Sequence, residues 1–252
     1  HALRVAFMIP FSPDQQRAFE DRFRVPVFSQ MYGQTETGSI SFSRLQGPQN
    51  PSSVGLPSPS FEVRLVDDDD REVPTGGVGE IAIRPTAPLA LFRGYWRKPE
   101  DTIAAWRNLW HHTGDFGRLD TAGFLYFVDR KKDAIRRRGE NVSSVQVEAA
   151  IVAHPKIAEA AVHAVPSAMT EDEIKACLVL VPDAQVTPAE LFGFFAERLP
   201  YFAVPRYVEV VEALPKTATM RVQKHLLRER GITAQTWDLE EMGLAVARAQ
   251  RR

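Results

Sequence analysis

The sequence predicts a mixed α/β fold in two parts, and three observations predict it. Strand patterns alternate with capped helix starts along the chain. Composition is that of an ordinary globular protein, with 44% hydrophobic and 25% charged residues over 252 positions. The texture changes near the middle, where FLYFVDRKKDAIRRRGENVSS passes from an aromatic strand to a dense basic stretch ending in glycine. A prior of roughly 150 residues per domain allows one large domain or two smaller ones. The basic stretch reads as the joint between residues 1–130 and residues 131–252.

Taken in order, Leu3 to Ile9 has the apolar run of a buried strand. Ser12-Pro13-Asp14 supplies an N-cap with proline at the first helical position, opening a helix to about Phe23. Pro26 to Phe28 is a second short strand, delivering the chain into the loop MYGQTETG. FEVRLV, from Phe61, and VGEIAIR, from Val78, alternate as the arms of a β-hairpin with a long turn. The turn holds Asp67 to Asp70, which read as solvated aspartates because the glycine and terminal Glu of a Ca²⁺ loop are missing. Beyond the joint, Ser143 with Gln146 makes a capping-box pattern for a helix that His154-Pro155 closes. Strands at Ile157–Val165 and Ile174–Val181 follow. Thr187-Pro188-Ala189-Glu190 then caps a helix to about Leu199, and Tyr207–Val211 completes a three-strand, helix-interleaved unit. A last helix around Val222–Arg230 stops at Gly231, and the final dozen residues suggest a frayed helix.

Charge excludes some functions. Lys and Arg number 31 against 32 Asp and Glu, so no bulk field attracts nucleic acid or anionic lipid. The single cysteine, Cys177, sits in the apolar string ACLVLV and reads as a buried, inert thiol in a reducing, cytoplasmic compartment. No Cys/His cluster has zinc spacing, and His111 and His112 lack a third ligand in view, so packing or a surface turn is the preferred reading. No apolar run reaches the roughly 18 residues of a membrane span, and the opening residues lack a signal-peptide layout. Asn141-Val142-Ser143 fits a glycosylation sequon by coincidence. The opening on His1, with a strand already under way, suggests a cut chain.

The chemistry concentrates in two places. MYGQTETG puts a ring, Tyr32, two turn glycines, a hydroxyl, Thr35, and a carboxylate, Glu36, on one loop. The ring can stack on a base, N–H groups and Thr35 can meet phosphate oxygens, and Glu36 can hold Mg²⁺. Asp115, in a Thr-Gly-Asp turn, and Arg130, after the next strand, could both reach a ribose: a carboxylate accepts from two vicinal hydroxyls and a guanidinium adds charge-assisted donors.

These strings, with GYWRKPEDT between them and LPKTATMRVQKHLLR near the end, resemble the adenylate-forming superfamily of acyl-CoA synthetases, and most closely its crotonobetaine/carnitine-CoA ligase-like branch. The resemblance runs in order over nearly the whole chain. It implies an α/β (α+β) fold: the C-terminal part of the large AMP-binding domain, followed by a small, mobile α+β domain with a three-stranded sheet. It also implies a two-step reaction in which a small-molecule carboxylic acid and ATP give acyl-AMP and pyrophosphate, and the coenzyme A thiol then displaces AMP. ATP/AMP, Mg²⁺ and CoA are the implied ligands. Carried onto this chain, Tyr32, Gly33, Gln34, Thr35, Asp115 and Arg130 bind the nucleotide, and Glu36 ligates Mg²⁺. Lys132 is the hinge and Gly139 with Glu140 meets the pantetheine arm, glycine leaving room for a slender ligand. Arg136 and Arg137 read as a solvated basic face.

Two departures qualify the resemblance. Where the family carries its adenylation lysine this chain has Arg221, whose planar fork is not equivalent to an ammonium. Lys224, three residues on, is a weak substitute. The Ser/Thr/Gly-rich phosphate loop and most of the acyl pocket are absent from these 252 residues, which predicts a piece of a chain about twice as long, with little or no ligase activity alone. Its uncovered surface invites association, a homo-oligomer included. Two rival readings stand beside the ligase. One is an AMP or acyl-adenylate binding protein degenerate at Arg221, and the other an enzyme that loads a carrier protein.

Overall fold

The structure is a computed structural model, and it describes residues 2–8, 12–44, 46–167 and 171–246. The chain divides into two compact units, His1–Lys131 and Lys132–Arg252.

In the first unit, β1 (Ala6–Phe7) pairs in parallel with β2 (Val27–Phe28), on either side of α1 (Pro13–Phe23). The Ser12 hydroxyl accepts from the Gln15 N–H while the Gln15 side chain accepts from the Ser12 N–H, so both halves of the capping box close and start α1 where the sequence places it. The buried strand expected from Leu3 to Ile9 is corrected. Only Ala6–Phe7 pairs, and Leu3 and Phe7 are exposed, because no strand besides β2 joins β1 among the described residues. Ile9 lies outside the described residues.

β3 (Met31–Gln34), β4 (Gly38–Phe42) and β5 (Leu56–Pro57) form an antiparallel sheet. MYGQTETG is therefore not a free loop: half of it is β3, with the turn confined to 35–37. Gly33 makes this tightness work, since a Cβ there would collide with the Gly38 carbonyl oxygen. The main sheet is the antiparallel order β6 (Phe61–Val66), β7 (Val78–Pro85), β8 (His111–Leu119), β9 (Leu125–Arg130). Ile40, Phe61, Leu65, Ile81, Ile83 and Leu125 form the core shared by the two antiparallel sheets. Between β7 and β8 run α2 (Pro99–Ala105) and a single turn at Arg107–Leu109. The reading of Asp67–Asp70 as fully solvated is corrected at Asp70, which is ion-paired with Arg107 and lies 3.7 Å from His112.

In the second unit, β10 (Ile135–Arg137) and β11 (Glu140–Val142) make a hairpin whose turn, Arg138-Gly139, has positive φ at both residues. α3 (Ser144–Val152) starts on the Ser143 hydroxyl, which accepts from the Gln146 N–H. β12 (Ile157–Pro166) pairs antiparallel with β13 (Asp172–Leu180), which pairs in parallel with β14 (Tyr207–Val210) across the crossover helix α4 (Pro188–Arg198). After α5 (Lys224–Arg230), β15 (Trp237–Asp238) adds a fourth strand beside β14, so the sheet has four strands rather than three. Two residues are too short a run for alternation to reveal.

The core of this unit gathers Val147, Ile151, Ile174, Leu178, Leu191 and Phe195, while Ala161, Cys177, Leu214 and Leu227 form a second cluster. Cys177 is buried, as its apolar string predicts, and burial pushes its thiol up to about 11. Arg137 corrects the basic-face reading: on the strand alternation it points inward, donates to the Val204 carbonyl at 2.6 Å, and pairs with Glu173 at 2.6 Å. Arg136 is exposed. The last residues of the expected terminal helix, 247–252, lie outside the described residues.

Candidate active site

The hairpin β3–β4 and the strand β8 bring the first group of predicted residues together. The Tyr32 hydroxyl donates to Asp115 Oδ2 at 2.7 Å, and the Gln34 amide nitrogen donates to the same oxygen at 3.0 Å and to the Thr113 carbonyl at 2.8 Å. Tyr32 and Asp115 are both buried, and the Tyr32 ring lies 6.0 Å from that of Phe127. Burial and then the Asp115 charge push the Tyr32 hydroxyl well above its ordinary range. Burial likewise raises the Asp115 carboxyl, against the opposing effect of the donors Tyr32 and Gln34 and of Arg130. Asp115 is not in a free turn but in β8, beside Gly114 at φ 70°, and its Cα partner across the sheet is Arg130, which is exposed.

Glu36 sits half-buried on the turn after β3. Its Oε1 accepts from the Tyr95 hydroxyl at 2.9 Å, and its carbonyl accepts from the Phe92 N–H at 2.8 Å. Burial, followed by that hydrogen bond to Glu36, pushes Tyr95 up to about 12. Thr35 is exposed on the same turn.

The remaining predicted residues belong to the second unit and stand on separate elements. Lys132 is exposed at its start. Gly139 sits at φ 80° in the β10–β11 turn, its N–H donating to the Glu171 carboxylate at 3.0 and 3.1 Å, and Glu140 opens β11 beside it. A Cβ at Gly139 would meet nothing within 4 Å, so what glycine supplies here is the positive φ, not clearance. Arg221 is exposed on a tight loop, where its N–H donates to the Thr217 hydroxyl at 3.2 Å. Lys224, weighed as its stand-in, is committed elsewhere: its ammonium donates to Ser144 at 2.7 Å and pairs with Glu148 at 2.7 Å.

Three residues of the first site escape sequence reasoning. Tyr95 lies in a string that carries only resemblance, and His111, expected as packing or a surface turn, is packed on β8 as that reading allows, while its Nε2 contact at 3.4 Å to Gln34 Oε1 is what the sequence does not show. Glu80 is buried, accepts from the Gly114 N–H at 3.1 Å and from Lys131 at 3.0 Å, and so braces the Asp115 segment. An acid interrupting the apolar alternation of VGEIAIR is the signal that could have found it.

Comparison with known proteins places this arrangement. The chain is 36% identical over 231 residues to the crotonobetaine/carnitine–CoA ligase of Salmonella arizonae, which covers 90% of this chain and 44% of that protein. The enzyme of the same name from Proteus mirabilis is 37% identical, with the same coverage. Among solved structures, ATP-bound MatB from Rhodopseudomonas palustris matches with a TM-score of 0.78 at 30% identity, over 90% of this chain and 45% of that one. The anthranilate CoA ligase AuaEII in complex with anthranoyl-AMP matches with a TM-score of 0.75 at 28% identity, over 90% and 44%. The chain thus spans less than half the length of the curated relatives it matches. The AMP-binding enzyme model matches residues 2–96 and the model of the AMP-binding enzyme C-terminal domain matches residues 146–221, together more than half of the chain, which therefore belongs to the AMP-binding enzyme family.

Proposed function

We propose that the chain is part of an ATP-dependent carboxylic acid–CoA ligase, which forms acyl-AMP and then a CoA thioester. The observation that carries this reading is Asp115: a buried carboxylate whose close donors, Tyr32 and Gln34, are neutral and converge on Oδ2. Oδ1 is left for the vicinal hydroxyls of a ribose, with Arg130 alongside. Tyr32, held by its hydroxyl, offers ring area to adenine, and Gly33, Gln34 and Thr35 bring turn groups to the phosphate.

Glu36 fits Mg²⁺. That ion needs only one or two protein carboxylates when substrate phosphates and water complete its shell, and Tyr95 fixes Oε1 so that Oε2 is available. Bound there, the ion would neutralise phosphate charge as the adenylyl group passes to the carboxylate and pyrophosphate leaves. Arg221 is the cation proposed to meet the carboxylate and phosphate during adenylation; Lys224, tied to Ser144 and Glu148, does not replace it. We assign the first unit to the AMP-binding domain and the second to a mobile domain turning at Lys132, with Gly139 and Glu140 beside the CoA arm. The acid is a small one, and carnitine-like acids head the panel because relatives carry that name. No helix among the described residues is long and apolar enough to cross a membrane. One free, buried cysteine suits a reducing compartment, and we assign the protein to the cytoplasm.

The test is acid-dependent pyrophosphate release and thioester formation by the full-length gene product, beside Arg221→Lys, over a panel of carboxylic acids. Turnover by the wild type supports the ligase and names its acid. Turnover by the lysine variant alone assigns the defect to Arg221. Silence from both, with AMP still bound, leaves a binding protein.

A further inference from the structure

His111 belongs to no step above, yet it is 1% exposed and sits among the residues that hold Asp115. Its ring packs against Phe92, at 5.5 Å, and Trp106, at 6.2 Å. Its Nδ1 is buried without a hydrogen-bond partner, and its Nε2 lies 3.4 Å from Gln34 Oε1, a long contact. The chemistry of Gln34 settles who donates. Thr113 O and Asp115 Oδ2 can only accept, so the Gln34 nitrogen must face both of them, using its two hydrogens. Gln34 Oε1 then faces His111 as an acceptor, and Nε2 must carry the ring's proton. Burial holds the imidazole below its ordinary range, with the neighbouring His112 acting in the same direction and the Glu36 and Glu80 charges against it. The neutral Nε2–H tautomer is the one the site can use.

The geometry points to His111 as a positioning residue for ribose recognition: its Nε2–H fixes the Gln34 amide, and Gln34 with Tyr32 holds Asp115 so that its free oxygen meets a vicinal diol. This inference rests on the nucleotide reading above and adds a residue to it. An N–H donor at this place, rather than any packed apolar side chain, becomes a requirement for discriminating ribose from its deoxy forms.

The experiment compares AMP with 2′,3′-dideoxyadenosine monophosphate on the full-length gene product, by calorimetry, for the wild type, His111→Phe and His111→Gln. Both nucleotides share base and phosphate, so general loosening of the site weakens both alike and leaves their ratio unchanged. The wild type should prefer AMP by about tenfold or more, as expected for hydrogen bonds to a charged group. His111→Phe, which keeps the ring packing, should cut that ratio about tenfold, the scale for a residue that orients a ligand-binding group. His111→Gln, which keeps an N–H donor, should restore most of it. An unchanged ratio in a folded His111→Phe overturns the inference. Failure of the wild type to bind AMP at all overturns the nucleotide reading itself, a distinguishable result. Nitrogen-15 spectra of the histidine rings test the inference without any variant: an Nε2–H tautomer at His111 supports it, and an Nδ1–H tautomer overturns it.

Discussion

Asp115 in the first unit and Glu209 in the second are both buried carboxylates on sheets, and they are held in opposite ways. Glu209 faces the ammonium of Lys175, itself fully buried, with Arg230 at 3.2 Å and the Thr236 hydroxyl at 3.0 Å. Burial opposes its ionisation, but Lys175 and Thr236 outweigh burial and hold the carboxyl below its usual range. Asp115 has two neutral donors at close range, and burial wins, raising its carboxyl. A charge neutralised inside the protein is structural. A charge left with neutral donors is one a ligand can complete, which is why the same residue class marks a brace in one unit and a site in the other.

The largest effect expected is at the brace. Lys175→Met leaves Glu209 buried without its ammonium and should cost about 3–5 kcal/mol, read by urea unfolding of the second unit. Replacing both partners, Lys175→Met with Glu209→Leu, should recover most of that loss. If the single change is as mild as the double, the pair is not what holds β13 to β14, and the contrast with Asp115 fails.

Acid sharpens the comparison. His163, buried on β12, is pushed down to about 4 by burial, with its Nδ1 2.9 Å from the Ala164 carbonyl. The unfolded chain binds that proton more readily, so the stabilisation is present above the ordinary value of 6.5. It is lost as pH falls from there towards 4, by about 3 kcal/mol in all. Asp115 runs the other way, because its folded carboxyl is raised: protonation relieves it, and its contribution declines as pH rises through its folded value. Between those limits the second unit should weaken first. Intrinsic fluorescence cannot separate the units, so residue-resolved hydrogen exchange at pH 6.5 and pH 4.5 is the measurement, and equal loosening of both units would break the comparison.

Asp115→Asn should do almost the reverse of Lys175→Met. Removing an ill-solvated charge leaves folding stability within about 0.5 kcal/mol of the wild type or above it, while AMP affinity falls by about tenfold or more. A loss of stability without loss of AMP affinity would make Asp115 a second brace.

How much of this was legible in the sequence follows from how local each feature is. The starts of α1 and α4 are set by neighbours in the chain, Ser12 with Gln15 and Thr187 with Glu190, and both appear where the residues place them. The β6–β7 hairpin is legible because apolar and charged residues alternate in FEVRLV and because two strand-like strings flank one turn, although β7 itself is buried continuously from Gly79 to Ile83. β10, β11 and β15 are two or three residues long and exist through pairing, so nothing in their own sequence announces them. Arg137 looks like its basic neighbours, and only Glu173 and the Val204 carbonyl, far along the chain, make it a buried residue. The same holds for the site. Tyr32 and Asp115 meet across 83 positions; the family resemblance assigns both to one nucleotide but neither it nor spacing gives their direct contact, while His111 and Tyr95 became visible only once β8 and the turn after β3 were adjacent.

The smallest effect is the most direct comparison, because the same kind of group can be deleted in both regions. Tyr32→Phe removes one neutral hydroxyl from Asp115 and keeps the ring against Phe127; Thr236→Val removes one from Glu209 and keeps the side-chain volume. Each loses about 1 kcal/mol of hydrogen bonding. At Glu209 the Lys175 ammonium remains, so the carboxylate stays ionised and little else changes. At Asp115 Gln34 is the one close donor left, with the Arg130 charge, against burial, so the carboxyl rises further and the pH at which AMP binding is half lost should move upward. Calorimetric titration of AMP across the acidic range reads that midpoint. A midpoint that stays in place in Tyr32→Phe would mean that the hydroxyl does not hold Oδ2 in solution, and that the first unit's carboxylate is governed by something other than its two neutral donors.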